Sequence, residues 1–395
     1  MVTDMLDMNQ FVFETGRVDT FRRLHYPEVC DEDWSDWHWQ LKNRVRDLDG
    51  LERFFRLSED ERAAARRHQG PLPVGITPYY ASLIDVSDPD QPLRKTMIPR
   101  LKEYVSMPGE HTDPLGEEAH MAVPGLVHTY PSKVLFLVTD FCATYCRYCT
   151  RSRMVGGGEF LPDRRQWERA LRYIRDDPRI RDVLISGGDP LILADERLEW
   201  LLSRITSIPH VELVRIGTKI PVVLPQRITP ALVAMLAQFH PLWMSIHCTH
   251  PEELTQEFES ACDRIARAGI PMAAQTVLLD GVNDDAETLR HLFSGLVRLR
   301  VKPYYLHQCD SVKGTSHFKT SVEKGLELVA SLHGHVTGYA VPLYMIDAPG
   351  GGGKIPVSPN FVVGRDGNDL VLRNYEGKLY RYPDSADQTD VSKGG

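Results

Sequence analysis

The chain has 395 residues, 42% of them hydrophobic and 25% charged, with a formal net charge of -8. This is an ordinary globular composition with room for one large domain and appendages, and its acidic balance gives no global footprint for nucleic acid or an anionic membrane. The opening MVTDMLDMNQ carries no basic apolar leader and no apolar run reaches roughly eighteen residues, so a cytoplasmic protein without a membrane span is expected.

Residues 1–120 read as a helical region that wraps or caps the remainder, with Trp34, Trp37 and Trp39, a helical stretch over 37–67 and a Pro-rich segment at 71–78. The basic run RAAARR at 62–67 reads as a solvated helix face. From residue 134 short apolar runs alternate with amphipathic helical patterns at a period close to thirty residues, which is βα repetition. Strands are predicted at 134–138, 182–185, 211–216, 242–246, 272–278 and 303–306, with helices near 165–176, 194–206, 229–239, 252–268 and 284–299. Six parallel strands of this kind can wind as an open doubly wound sheet or curl into a partial barrel, and periodicity alone does not choose. The cysteine cluster, the Ser186-Gly187-Gly188-Asp189 run, Thr218, His247, Gln275 and Asp310 all fall at, near or just beyond strand ends. The carboxyl edge of a parallel sheet is where sites are built. A small β-rich tail is expected over 338–383, with the last dozen residues frayed.

Two segments carry chemistry. Cys142, Cys146 and Cys149, in TDFCATYCRYCTRSR, follow directly on the first strand. A four-iron cluster takes one ligand per iron, so a C-x3-C-x2-C triplet leaves one iron open to bind something else. A zinc site would need a fourth ligand nearby. After Cys149 the next histidine is His210, and no cysteine comes before Cys248. Seven cysteines with three clustered also suit a reducing compartment, where thiolates hold metal rather than form bridges. The second segment, MIDAPGGGGKIPVSPN, places Gly350 to Gly353 before Lys354 between strand-like flanks stiffened by Pro349, Pro356 and Pro359. A lysine that exchanges between an aldehyde cofactor and a released state needs backbone freedom, which is the demand on a pyridoxal phosphate Schiff-base lysine. Taken alone, the segment also reads as a plain surface loop.

The cysteine spacing is similar to that of the radical S-adenosylmethionine enzymes. Together with the glycine-lysine segment, the chain resembles the lysine 2,3-aminomutase family. The matching stretches run from Asp33 to the RNYEG at 373–377 and include DWHWQLKNR, ITPYYASLID, AVPGL, YCRYCTR, ISGGDP, RIGTKIPVVLPQRIT, QTVLLDGVND, YYLHQCD and DAPGGGGK. The resemblance implies an α/β fold, a partial (β/α)6 barrel over 121–337, with the helical N-terminal region before it and a small β-rich C-terminal extension at 338–395 that carries the lysine. It implies an enzyme, an isomerase that moves the α-amino group of an amino acid to C3. A 5'-deoxyadenosyl radical, made from S-adenosylmethionine by a [4Fe-4S] cluster, would act on substrate held as a Schiff base on pyridoxal phosphate.

The resemblance also implies roles. Cys142, Cys146 and Cys149 would ligate the cluster. Ser186, Gly187, Gly188, Asp189, His247 and Gln275 would receive S-adenosylmethionine, the glycines by being small and Asp189 by meeting its amino group. Lys354 would hold pyridoxal phosphate, with Tyr130 and Lys133 at its phosphate; Thr129 stands where the family usually has a second basic residue. Arg151 would clamp the substrate carboxylate, a task suited to a planar fork. Asp310 and Asp347 match the pair that holds a side-chain cation, since two carboxylates in a closed site repel unless a cation sits between them. His307 replaces a tyrosine beside the cofactor, and His250 reads as a structural histidine. The first substrate is therefore L-lysine, giving L-β-lysine. L-arginine, a protein-bound lysine and, in a different class, an electron-carrying iron-sulfur protein are the rivals. A flavodoxin or ferredoxin is the expected electron donor. No cysteine follows Cys309, so the interfacial zinc of some relatives is not expected and homo-oligomer formation stays open.

Overall fold

The computed structural model describes residues 16–67, 72–157 and 162–384. The opening decapeptide, Pro71 at the head of the Pro-rich segment, and the closing residues from 385 onward, expected above to fray, lie outside the described residues.

Ten strands form one sheet in sequence order: β1 (Met121–Val123), β2 (Leu126–Tyr130), β3 (Lys133–Leu137), β4 (Asp182–Ser186), β5 (Leu213–Thr218), β6 (Leu242–His247), β7 (Met272–Leu278), β8 (Val301–Gln308), β9 (Leu343–Ala348) and β10 (Gly353–Val357). Strands β3 to β9 pair in parallel; β1, β2 and β10 pair antiparallel at the two edges. At ~4.8 Å per strand, β2 and β10 would stand roughly 38 Å apart in a flat sheet. The Lys354 N–H of β10 instead donates to the Tyr130 hydroxyl of β2 at 2.6 Å. The sheet is therefore curled until its edges meet around a bore.

Side-chain alternation explains what lines that bore. Val183 and Ile185 on β4, Val214 and Ile216 on β5, and Leu242, Met244 and Ile246 on β6 are buried in the main hydrophobic cluster. They pack outward against helices at Arg164–Asp176, Asp195–Thr206, Pro230–Leu236, Gln256–Arg267 and Ala286–Arg298. The intervening residues Lys133, Asp182, Leu184, Arg215, Gly217 and His247 face inward, which is why these parallel strands read as alternating rather than uniformly apolar. Four of these helices start where Asp163, Thr229, Thr255 and Asp285 accept a backbone N–H from the third residue beyond. Each such cap is worth about 1 kcal/mol.

The expected barrel strands and helices are all present to within a few residues. The helical stretch expected over 37–67 is three short helices, Trp37–Lys42, Leu48–Phe54 and Glu59–Arg66. Asp47 and Ser58 are the reason, because each caps a fresh helix, Ser58 through a reciprocal pair with Glu61. The parallel sheet extends beyond six strands, since β9 continues it past residue 338 alongside β8, preceded by a helix at Val322–Leu332. A separate antiparallel sheet follows, β11 (Val362–Asp366), β12 (Asp369–Arg373) and β13 (Leu379–Pro383). Among the described residues no helix is long and apolar enough to cross a membrane.

Candidate active site

At the carboxyl end of the bore, the loop after β3 carries Cys142, Cys146 and Cys149, all partly buried and unbridged. They line a cavity of about 160 Å³ with Ser186, Gly187, Gly188, Asp189, Lys219 and His247. Among the described residues no three His, Cys, Asp or Glu side chains are grouped to hold a single metal ion. Burial pushes all three thiols up, Cys149 to about 11, so on their own they stay protonated. Thiols that need positive charge to ionise, set around a cavity, fit a multi-iron cluster.

The glycine pair serves the cysteine loop. A Cβ on Gly188 would collide with the Phe141 carbonyl, and Gly187 has φ 125° and packs against Thr139. The Gly188 N–H donates to Thr139 O, and the Asp189 N–H to Phe141 O at 2.9 Å. Smallness here lets two loops touch, and both glycines also line the cavity beside the cysteines. Asp189 is also engaged within the protein. Its carboxylate accepts from Thr218 Oγ1 at 2.7 Å, the Lys219 N–H at 2.7 Å and the Leu191 N–H at 3.1 Å. Burial nevertheless raises its pKa to about 6. Behind it Lys219 Nζ donates to Glu253 Oε1 at 2.6 Å, and the Tyr80 hydroxyl donates to the same oxygen at 2.7 Å. Burial pulls the lysine down, but Glu253 outweighs it and the ammonium is held charged. His250 caps the turn at Pro251–Glu253, a structural use.

A second cavity, of about 210 Å³, occupies the bore below and shares Arg151, Ser186, Gly217 and His247 with the first. Its walls bring together Thr129, Tyr130, Lys133, Arg215, Gln275, Tyr305, Asp347 and Lys354. His247 and Gln275 are direct neighbours across β6 and β7. Burial, then Lys219, lowers the His247 pKa to about 3, so the imidazole is neutral. Lys354 and Asp347 oppose each other across β9 and β10, and Lys354 Nζ donates to both carboxylate oxygens at 2.7 and 2.9 Å. The preceding glycines are not a free tether: Gly350, Gly351 and Gly353 take positive φ, and a Cβ on Gly353 would crowd the Tyr130 hydroxyl at 3.0 Å. They form the tight turn that starts β10 with the lysine on the bore.

Around Lys354 the acids differ. Burial raises Asp347, but the His307 hydrogen bond (Nδ1 to Oδ2, 3.3 Å) and the Lys354 ammonium outweigh it and bring the pKa to about 2. Asp310 borders the site without lining either cavity wall, accepting from Thr150 Oγ1 at 2.9 Å. Burial, then the charge of Asp347, raises it to about 6. Arg151 is held by Glu117, its Nε 2.9 Å and its Nη2 2.7 Å from Oε1. Glu117, Arg215, Lys219 and Glu253 went unmarked in the sequence. Arg215 was detectable as a cation at an inward position of a strand, whereas Glu117 sits in a loop with no motif.

A family model described as Lysine-2,3-aminomutase matches residues 329–394, and one described as Radical SAM superfamily matches residues 136–293. The L-lysine 2,3-aminomutase of Acetoanaerobium sticklandii is 47% identical over 90% of this chain and 86% of its own length. That of Methanococcus maripaludis is 49% identical over 92% of this chain and 84% of its own. The glutamate 2,3-aminomutase of Clostridioides difficile is 41% identical over 92% of this chain and 86% of its own.

Proposed function

Since the chain belongs to the lysine 2,3-aminomutase family of the radical S-adenosylmethionine superfamily, and is an amino acid 2,3-aminomutase, we propose that its substrate is L-lysine and its product L-β-lysine. The observation that carries this reading is the alkylammonium already seated on Asp347. Lys354 places its own Nζ within 2.9 Å of both oxygens of that carboxylate. When Lys354 is committed to a cofactor, Asp347 loses that cation and keeps His307. A substrate ammonium restores the lost charge. Asp310, raised to about 6 by burial and by Asp347, is a second acid that a cation would stabilise. A γ-carboxylate in the same place would meet two like charges, which argues against glutamate despite the glutamate-acting relative.

The residues fit the groups that the family implies. Cys142, Cys146 and Cys149 would hold a [4Fe-4S] cluster, Ser186, His247 and Gln275 would wall S-adenosylmethionine, and Lys354 with Tyr130 and Lys133 would hold pyridoxal phosphate. When bound, these groups supply the hydrogen-abstracting radical and the carbonyl that carries the migrating nitrogen. The chain's own part is binding and orientation. Arg151 offers the substrate carboxylate the guanidinium edge that Glu117 leaves open, and Glu117 keeps the fork from rotating. Tyr130, by accepting the Lys354 N–H, holds β10 against the bore so that the lysine reaches one place. Neutral His247 can accept or donate a hydrogen bond near the radical's origin without adding charge.

The test is an anaerobic assay of reconstituted protein with S-adenosylmethionine, pyridoxal phosphate and dithionite, offering lysine, arginine and glutamate separately. β-Lysine as the main product supports the reading. Preferred formation of β-arginine moves the same residues to a guanidinium substrate, and β-glutamate overturns the role given to Asp310 and Asp347.

A further inference from the structure

The bore holds a pair of cations that substrate binding leaves unused. Lys133 faces Asp182 across β3 and β4, and Leu184, on the same face of β4 as Asp182, faces Arg215 across β5. Lys133, Asp182 and Arg215 therefore share the inward face. Arg215 Nε donates to Asp182 Oδ1 at 2.9 Å, which fixes the guanidinium plane; its terminal nitrogens make no hydrogen bond among the described residues. Lys133 Nζ lies over the Tyr130 ring at 4.0 Å. Burial and then the Arg215 charge lower the Lys133 pKa, with Asp182 offsetting part of this. Asp182 balances one of the two cations, so the half-buried corner keeps one positive charge in excess, which a further anion would balance. Tyr130 accepts the Lys354 N–H and so keeps its own hydroxyl proton to donate into the same space. Thr129, on the same wall, brings no charge.

Resting on the reading of Lys354 as the cofactor lysine, we infer that Arg215, with Lys133 and the Tyr130 hydroxyl, seats the phosphate ester of pyridoxal phosphate. Arg215 supplies the second cation that Thr129 does not. A planar fork steadied at Nε by Asp182 presents its terminal N–H groups as a pair, the geometry that phosphate oxygens accept. The phosphate then lies low in the bore, toward the amino ends of β3 and β4, away from the cysteine loop at the carboxyl ends.

The experiment compares pyridoxal phosphate with pyridoxal, which carries the aldehyde but no phosphate. Apoprotein is titrated with each, following the imine absorbance and trapping the product with borohydride. Arg215→Gln is expected to weaken pyridoxal phosphate ten- to a hundredfold, the loss of a charge-assisted pair, while pyridoxal changes less than about twofold. Inorganic phosphate should compete with pyridoxal phosphate in the wild type and lose that ability in the variant. Adding Thr129→Arg should recover much of the lost affinity. Equal weakening of both aldehydes would make Arg215 a purely structural residue, and no change in either would remove it from the site. If Arg215→Gln fails to fold, Asp182→Asn decides: it keeps the cation but frees the guanidinium, and the pyridoxal phosphate to pyridoxal ratio must fall. Failure of the cofactor reading looks different, because wild-type protein would then form no borohydride-trapped bond at Lys354 with either aldehyde.

Discussion

Lys219 and Lys354 both face a carboxylate in the same bore, yet they are built for opposite ends. Lys219 meets Glu253, whose carboxylate also takes the Tyr80 hydroxyl and the backbone N–H groups of Thr249 and His250. The Glu253 side chain is fully buried. Lys354 meets Asp347, which among the described residues has His307 as its one further partner, and the lysine side chain is 31% exposed. A closed network of charged hydrogen bonds specifies one arrangement, whereas a pair with one spare partner can exchange one cation for another. The first lysine is tied into the network behind the cysteine loop, and the second is the one that, on the reading proposed above, exchanges Asp347 for a cofactor.

Four measurements break or sharpen this contrast. Lys354→Ala should abolish aldehyde trapping and lower turnover by roughly 10³-fold or more, the scale seen when a covalent catalyst is removed, while the unfolding midpoint stays close to wild type. An unchanged pyridoxal spectrum would remove Lys354 from its role. Glu253→Gln should instead destabilise by about 3–5 kcal/mol in denaturant unfolding, because it strands a buried ammonium. The double variant with Lys219→Met should recover most of that loss, and failure to recover would mean that the network is more than a charge pair. Asp310→Asn should raise the KM for lysine ten- to a hundredfold with the pyridoxal phosphate affinity unaltered; titrating each ligand separates the two. The smallest effect concerns pH. Asp310 titrates at about 6 in the free protein, raised by burial and by Asp347, and a cationic substrate binds its ionised form. KM should be flat above pH 6 and rise as pH falls through it, by up to tenfold per unit. The rise should vanish in Asp310→Asn, and its persistence there would assign the titration to another group.

Most of the barrel was legible because each strand and helix writes its own period. Met272–Leu278 was read to the residue, and the helix at Ala286–Arg298 to within two. The stretch over 37–67 was read as helical without its breaks, because the capping roles of Asp47 and Ser58 depend on local backbone geometry. Strand β9 read as part of a tail because its register partner, β8, is set by a pairing that no local pattern announces. In the candidate site, the cysteine triplet and the lysine after four glycines were visible because their chemistry lies in spacing along the chain. What those glycines do was not. Gly188 and Gly353 are small because Phe141 and Tyr130 press on them, contacts from elsewhere in the fold.

The sequence by itself determined which donors exist and on which strand ends they stand: three thiols in a loop, a lysine opening β10, two aspartates and an arginine. Tertiary structure decided which of them meet. A strand's period is a property of a few neighbouring residues, but the curl of a sheet is the sum of nine successive pairings, each adding its own twist. Only that sum brings Tyr130 against Lys354, sets Arg215 beside Lys133, and leaves Asp347 one cation short when its lysine is called away.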